Sequence, residues 1–200
     1  MKNFVEKFND KNELKKMLFD WLDTIVISVI AVIFITTVMF RTATIIGDSM
    51  QNTFFAGERV VISKLFYEPT CGDVVVISRN VENRTELNSY QEPIIKRIIA
   101  TGGMYVDIDF DNGEVYTGYS QSNMKRLDEP YIKVPTKKRG EVKFPLYVPK
   151  GKVFVLGDNR GDSLDSRYTA IGLIDEKDIL GKVIFRIFPF DRIGGVYNYE

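Results

Sequence analysis

One long uncharged stretch lies near the start of the chain. From Thr24 to Phe40 the sequence is TIVISVIAVIFITTVMF, and charged residues flank it on both sides. As a helix that rises about 1.5 Å per residue, this stretch extends about 25 Å, which is just enough to cross the hydrocarbon core of a bilayer. Trp21 suits the membrane interface. Residues 21–41 are therefore predicted to be a transmembrane anchor.

The charges beside this stretch predict its orientation. Residues 1–20 carry five lysines, whereas the first twenty residues after the stretch carry Arg41 and Arg59. By the positive-inside tendency, residues 1–20 are cytoplasmic and the chain crosses the cytoplasmic membrane once. A cleavable signal peptide is one alternative, but it would have a shorter apolar region and a small-x-small site, where this chain reads VMFR. A buried helix of a soluble protein is the other, and the β-branched residues disfavour it.

Residues 42–200 have the pattern of an extracytoplasmic, β-rich domain. Short runs of Val, Ile, Tyr and Phe recur between Gly, Pro, Asn and Asp turn signals, and no long amphipathic helix interrupts them. Their spacing predicts a mostly β fold, an antiparallel barrel or sandwich, after the single helix. Asp111-Asn112-Gly113 is predicted to form a hairpin turn. The predicted strands are 59–64, 73–78, 94–100, 105–110, 114–118, 152–157 and 182–188.

The strand pattern loosens between Tyr119 and Val148. Charged sequence with several prolines predicts a surface excursion between core strands here. The basic KKR at 137–139 is interpreted as part of a solvated loop.

Composition and charge exclude several classes of function. The chain has 200 residues, 44% of them hydrophobic, so it can bury a core. Lys+Arg and Asp+Glu both number 27, and without a basic stripe nucleic acid is not an expected partner. The single cysteine, Cys71, is interpreted as a small apolar residue, and without histidine no zinc site of nitrogen and sulfur ligands is expected. No metal or organic cofactor is predicted.

Ser49, in IIGDSMQNTF just after the anchor, is the first candidate for chemistry. A serine attacks well only when a base takes its proton, and without histidine the possible bases are carboxylates, a lysine or the α-amine. The α-amine lies before the anchor, on the other side of the membrane. A lysine would have to be neutral, with its pKa lowered from about 10.4 toward about 7 to 8 by apolar surroundings.

Lys96 is the lysine with the most apolar neighbours after the anchor, because PIIKRIIA places two isoleucines on each side of Lys96 and Arg97. In a strand its side chain would share a face with Ile94 and Ile98, while Arg97 would point the other way. A lysine on an edge strand, where it blocks aggregation, is equally consistent with this pattern.

A third segment, LGDNRGDSLDSRYTAIG at 156–172, concentrates polar residues after an apolar strand. Asp165 and Arg167 are predicted to form a charge-assisted pair, and the Ser163 hydroxyl is a candidate to hold a lysine amine. A calcium loop is the alternative, but the segment lacks the later glutamate of an EF-hand.

The order of anchor, GDSM, GDVVVI, IIKRI and GDNRGDSLDSR resembles the bacterial type I signal peptidase family. These are membrane-anchored serine proteases that remove signal peptides from exported proteins. LDEPYI at 127–132 is similar to a segment usual in the middle of these enzymes, and the likeness extends from the anchor to about Ile187. It implies exported preproteins and the lipid bilayer as partners.

The resemblance also implies roles for residues at the matching positions. Ser49 would be the nucleophile and Lys96 its general base, with Ser163 touching the lysine amine and Asp165 with Arg167 bracing the site. Asp158, Asn159 and Arg160 would be structural.

Substrate is expected as an extended segment that adds beside an exposed strand, with small pockets selecting small side chains such as alanine. Three alternatives are open for Phe54 and Phe55: lining the pocket, dipping into lipid, or packing in the core. The residues predicted to bind substrate are Ile45, Met50, Phe54 and Ile95.

Three positions depart from the family pattern. Asn52 replaces a common proline, Gly102-Gly103-Met104 replaces Pro-Gly-Asp, and Gly47 stands where some members have a serine that helps the oxyanion hole. The backbone N–H of Ser49 would then be the main oxyanion donor.

Two other functions are alternatives to a signal peptidase. Self-cleaving repressors share a serine and lysine pair on a related β fold, but they lack an anchor and need a DNA-binding domain for which this chain has no room. A catalytically inactive, anchored β domain that binds exported proteins or pilus components is the alternative from a different class, and the departures at Asn52 and Gly102 to Met104 keep it open.

Overall fold

The computed structural model describes residues 11–78 and 93–197, and the chain divides into a unit of residues 1–40 and a unit of residues 41–200. The first unit is one helix, α1 (Lys11–Met39), without Gly or Pro to interrupt it. Its segment Glu13–Phe34 has a mean hydropathy of 2.1, is long and apolar enough to cross a membrane, and has no buried residue. Residues 1–10, at the start of the predicted cytoplasmic segment, lie outside the described part of the chain.

The second unit is built of antiparallel strands in two sheets. The larger sheet has the order β1-β2-β11-β3-β4-β9-β10, and the smaller has the order β7-β6-β5-β8. In the described residues the strands are β1 (Arg41–Thr44), β2 (Arg59–Ser63), β3 (Val74–Ile77), β4 (Ile94–Ala100), β5 (Tyr105–Asp109), β6 (Glu114–Gly118), β7 (Lys125–Arg126), β8 (Leu146–Tyr147), β9 (Lys152–Leu156), β10 (Ile174–Asp175) and β11 (Ile179–Phe188).

The predicted antiparallel β fold after an N-terminal helix is confirmed. Each predicted strand is present with its ends within a residue, except β11, which begins at Ile179 rather than at 182. β5 and β6 form the predicted hairpin, and Gly113 at their turn has a φ of +79°, which glycine adopts without strain. The sequence did not predict β1, β7, β8 and β10, because strands of two to four residues are too short to show alternation.

β4 is the strand that carries the candidate lysine, and it lies inside the larger sheet. Residues 95 to 100 are all buried, which explains why this strand reads as a nearly continuous apolar run. β3 pairs with it from Ile94 to Arg97, and β9 pairs with it from Arg97 to Ala100. Described strands therefore cover one edge of Ile94 to Lys96 and leave the other uncovered.

One cluster of the core lies under the segment that contains Ser49. Burial of a side chain of this size is worth about 1.5–3 kcal/mol, so the cluster anchors the turn after β1 to the sheet. Its buried members are Ile45, Met50, Phe54, Val60, Ile62, Val74, Val76, Ile95, Val183 and Val196.

The segment 119–148 is more than a surface excursion, and the prediction needs correcting there. It contributes β7 and β8 to the smaller sheet, and it buries Tyr131, Thr136 and the side chain of Glu129. A buried glutamate is invisible to hydrophobic periodicity, because its burial depends on a partner from a distant part of the chain. The basic residues 137–139 are exposed, as predicted.

Candidate active site

Ser49 lies in a tight turn between β1 and β2. Gly47, with a φ of +76°, redirects the chain just before it. The Gln51 N–H donates to the Asp48 carbonyl at 3.0 Å, and the Phe54 N–H donates to the Met50 carbonyl at 2.8 Å. These bonds make the turn compact and leave the Ser49 side chain half-buried.

Lys96 reaches Ser49 from β4. Its Nζ lies 2.6 Å from the Ser49 Oγ and 3.0 Å from the Ile95 carbonyl oxygen, and the residue is 4% exposed. Because Lys96 is buried and its amine contacts Ser49, it is not an exposed lysine that blocks aggregation, although β9 leaves one edge of Ile94 to Lys96 uncovered. The structure brings the predicted serine and lysine into direct contact.

The loop after β9 packs against the serine turn. The Asn159 N–H donates to the Ser49 carbonyl at 3.0 Å, and the Asn159 side-chain amide donates to the Asp48 carbonyl at 3.1 Å. Gly157 lies so close that a Cβ there would come within 3.0 Å of both the Ser49 carbonyl and the Ser163 side chain. Sequence analysis missed Gly157, since only the fold shows the close approach.

If Ser49 is the nucleophile, we expect Gly157→Ala to lower kcat by about 100-fold, the effect of moving a reacting group by about 1 Å. The methyl group would push either Ser49 or Ser163 away. Gly161→Ala is the matched control, because a Cβ at Gly161, in the same loop, meets nothing within 4 Å. Equal kcat values for the two variants would contradict the role of the close approach at Gly157 in positioning Ser49.

Ser163 differs from the sequence prediction. Its Oγ is buried and has no hydrogen-bond partner among the described residues, so the predicted bond to the Lys96 amine is not formed here. The hydroxyl does lie beside Gly157 and therefore beside the serine turn. Spacing in the motif placed Ser163 near the site, but it did not predict the direction of the hydroxyl.

Asp165 and Arg167 form the predicted pair. The Arg167 Nε and Nη2 donate to the two Asp165 carboxylate oxygens at 2.8 and 2.9 Å, and neither side chain is exposed to solvent. Asp165 also accepts from the Gly157 N–H at 3.1 Å, while Arg167 donates to the Lys138 carbonyl at 2.8 Å. The pair thus fixes the loop that carries Gly157 and Ser163.

A second buried pair lies directly beside Lys96. Arg97 Nε and Nη2 donate to the carboxylate oxygens of Asp158 at 2.8 and 2.6 Å, and the Thr53 hydroxyl donates to the same carboxylate. Tyr131 lies over the guanidinium, with 3.9 Å from its ring centroid to the Arg97 Cζ. Burial raises the pKa of Tyr131, so its phenol stays neutral.

Arg160 and Glu129 connect the loop to the middle segment of the chain. Both side chains are buried, and the Arg160 Nη2 pairs with Glu129, while its Nη1 donates to the Thr136 hydroxyl at 2.5 Å. The structural role predicted for Asp158 and Arg160 is therefore visible as two ion pairs. Sequence analysis did not identify Thr53 and Glu129 as their partners, because the pairs are far apart in sequence.

The four residues predicted to bind substrate belong to the cluster under Ser49. Phe54 is fully buried, so it packs in the core rather than dipping into lipid. Phe55 is partly exposed and lies beneath the Arg192 guanidinium. Ile45, Met50 and Ile95 are also buried, and their contact with substrate stays a prediction.

The departures from the family pattern fit the local backbone. Asn52 has a φ of +91°, a left-handed conformation that asparagine tolerates and that proline cannot adopt. A Cβ at Gly102 would lie 2.7 Å from the Lys150 Cα, so glycine is needed where the family commonly has proline. Met104 is buried in the core of the smaller sheet.

Comparisons with known proteins give the family. Residues 18–188 match the family model described as signal peptidase, peptidase S26. Signal peptidase I P of Bacillus subtilis subsp. natto is 34% identical over 93% of this chain and 97% of its own length. Signal peptidase IB of Staphylococcus aureus is 33% identical over 94% of this chain and 98% of its own length.

A solved structure of a signal peptidase I from Enterococcus faecalis V583 aligns with 58% of this chain and 97% of its own, with a TM-score of 0.36 and 21% identity. The family model covers most of the chain, and both relatives match over nearly their whole length. This chain therefore belongs to the signal peptidase family, peptidase S26.

Proposed function

We propose that this protein is a membrane-anchored serine endopeptidase that removes N-terminal signal peptides from exported preproteins, with Ser49 as nucleophile and Lys96 as general base. The observation that carries the proposal is the 2.6 Å contact between the Lys96 Nζ and the Ser49 Oγ. A nucleophile and a base within hydrogen-bond reach are the geometric requirement for acyl transfer.

The burial of Lys96 supports its role as a base. A lysine takes a proton only in its neutral form, and burial favours the neutral amine over the ammonium. Lys96 is 4% exposed, and the rest of β4 from Ile95 to Ala100 is buried as well. In the neutral state the Ser49 hydroxyl donates to Nζ, which is the arrangement from which the proton is transferred.

The reaction then has two halves. In the first, the Ser49 Oγ bonds to the scissile carbonyl carbon while Lys96 takes its proton; the ammonium then protonates the leaving amine as the C–N bond breaks. An acyl-enzyme ester on Ser49 remains. In the second half, neutral Lys96 takes a proton from water, the hydroxide displaces the ester oxygen, and Ser49 recovers its proton.

The oxyanion of each tetrahedral intermediate needs hydrogen-bond donors. The backbone N–H of Ser49 is the proposed donor, because it belongs to the same residue as the attacking Oγ. Gly47 leaves the approach open, since a Cβ at that position would meet nothing within 4 Å. Each such donor is worth about 3 kcal/mol of transition-state stabilisation.

The uncovered edge of Ile94 to Lys96 supports a mode of substrate binding. An extended peptide that pairs with this edge would add a strand to the sheet and bring a peptide carbonyl to the serine that Lys96 contacts. Such pairing places alternate side chains toward the enzyme, so small residues at the first and third positions before the cut suit an Ala-x-Ala site.

The helix α1 supports anchoring in the cytoplasmic membrane. Its segment Glu13–Phe34 has the length and hydropathy of a single span, and the lysines before it suit a cytoplasmic N-terminus. Residues 42–200 would then face the extracytoplasmic side, where signal peptides emerge.

The test is cleavage of a preprotein with an Ala-x-Ala site, followed by sequencing of the new N-terminus. We expect detergent-solubilised wild type to cut after the small residue and Ser49→Ala to leave the preprotein intact. In sealed vesicles of known sidedness, only preprotein on the extracytoplasmic side should be cut. Binding without cleavage by the folded wild type would favour the inactive binding module instead.

A further inference from the structure

A buried cluster of charged residues contacts the segment that follows Ser49 and has no part in the reaction above. Arg186, on β11, donates from Nη2 to the Thr53 carbonyl at 2.6 Å, and its Nε lies 3.1 Å from the Glu58 Oε2. Arg186 and Glu58 are both buried. The guanidinium therefore joins the last strand of the larger sheet to the segment that follows Ser49.

Two arginines share the single carboxylate of this cluster. Arg192, in the short 3-10 helix after β11, pairs through Nη1 with the Glu58 Oε1. Each guanidinium also lies over an aromatic ring, at 5.1 Å for Arg186 over Phe54 and 4.7 Å for Arg192 over Phe55. β11 and the 3-10 helix thus contact the segment after Ser49 at one backbone carbonyl, at the Glu58 carboxylate and at two phenylalanine rings.

Stability alone does not explain why these charged residues are buried together. It holds two cations for one anion, and burial lowers the pKa of Arg186, an effect that the charge of Glu58 opposes. Buried ion pairs contribute little net stability compared with apolar side chains of similar size. Among the described residues, the Arg186 Nε and the Glu58 Oε2 lack a well-aligned hydrogen bond, so the best-placed bond of Arg186 is the one to Thr53.

Thr53 links this cluster to the nucleophile. Its N–H donates to the Met50 carbonyl at 3.1 Å, its hydroxyl donates to Asp158, and its carbonyl accepts from Arg186. Met50 follows Ser49 directly in the chain. The position of Thr53 therefore sets where the serine turn closes, and it is fixed by a bond within the turn and by contacts from β4, from the loop after β9 and from β11.

We propose that Arg186 is a positioning residue for Ser49, acting through the Thr53 carbonyl, with Glu58 orienting its guanidinium. The inference rests on the proposed role of Ser49 as nucleophile. Arg186 touches neither the substrate nor the reacting atoms. Without its bond the Thr53 end of the turn loses its contact with β11, and the Ser49 Oγ loses its fixed distance from the Lys96 Nζ.

The first test is Arg186→Lys, assayed by cleavage of the preprotein. Lysine keeps the charge, but its single amine cannot reproduce the planar fork that serves Glu58 and Thr53 at once. We expect kcat to fall by about 10- to 100-fold, the range for a lost hydrogen bond from a charged group, with KM unchanged. Arg192→Lys is the matched control, since Arg192 pairs with the same carboxylate without touching Thr53, and we expect it to keep wild-type kcat.

A second variant separates positioning from stability. In Glu58→Leu/Arg186→Met the ion pair gives way to apolar side chains, which commonly preserves or raises stability. We expect its melting temperature to stay near that of wild type while kcat is lowered as in Arg186→Lys. Reaction of Ser49 with a small activated ester, which needs no substrate strand, should slow by the same factor.

The outcomes are distinguishable. If wild type fails to cleave and Ser49 fails to react with the ester, the proposed function is lost along with the inference. If wild type cleaves while folded Arg186→Lys and the double variant keep its kcat, Arg186 has no positioning role. A rise in KM with unchanged kcat in Arg186→Lys, or an equal loss of kcat in Arg192→Lys, would also overturn the positioning role of Arg186.

Discussion

Replacement of Lys96 by methionine is expected to lower kcat/KM for preprotein cleavage by at least about 10³-fold, within the range for loss of a general base and its proton transfer. Methionine has nearly the same length and suits a site that is 4% exposed, so the fold should be retained. Its thioether cannot take the Ser49 proton. Cleavage by folded Lys96→Met within about tenfold of wild type would contradict the assignment, since that is less than a positioned base contributes.

Lys96→Arg is the control for charge. Arginine keeps a cation beside Ser49, but it stays protonated at any pH compatible with folding, so it cannot act as a base. If the role of Lys96 were to attract substrate or stabilise an oxyanion, this variant would keep activity. We expect it to be as inactive as Lys96→Met.

The pH profile gives an independent check on the same residue. A lysine acts as a base only in its neutral form, which is present above its pKa and disappears as the pH falls through that pKa. The wild-type rate should therefore rise toward alkaline pH. Any residual activity of Lys96→Met should not show this rise. A wild-type rate that is flat from about pH 5 to 10 would exclude a lysine base.

The sequence predicted the proposed pair of Ser49 and Lys96 more fully than the structure around it. Ser49 and Lys96 are candidates from the sequence because the absence of histidine limits the bases and because PIIKRIIA surrounds one lysine with apolar residues, and their roles come from the resemblance to the family. The Asp165 and Arg167 pair could be found because its members are two positions apart. Local composition carries these signals, and the fold then brings the segments together.

Other parts of the site depend on contacts that no local pattern contains. Glu129 lies in charged sequence that indicated a surface excursion, yet it is buried because Arg160 arrives from another loop. The direction of the Ser163 hydroxyl and the close approach at Gly157 likewise depend on backbone geometry. Short strands such as β8 form because the longer β5 offers an edge, and their own two residues cannot specify them.

Loss of the Asp158 carboxylate is expected to give the largest change in stability. Asp158→Ala would leave the Arg97 guanidinium buried without its counterion, and breaking a buried pair in this way costs about 3–5 kcal/mol. The side chains of the pair are only 1% and 0% exposed, so water cannot replace the lost carboxylate. Urea unfolding of wild type and variant, in the same detergent, would measure the change.

Two comparisons show whether the cost arises from an unpaired charge. Arg126→Ala removes one partner of the Glu114 pair, whose arginine side chain is 66% exposed, and it should leave stability unchanged, since solvent screens that pair. Arg97→Met/Asp158→Leu removes both buried charges and should lose less than Asp158→Ala alone. The double variant could instead be less stable than Asp158→Ala. In that case the Arg97 bonds to the Gly72 carbonyl and the Thr53 hydroxyl, rather than the ion pair, would hold β4 and Lys96 in place beside the serine turn.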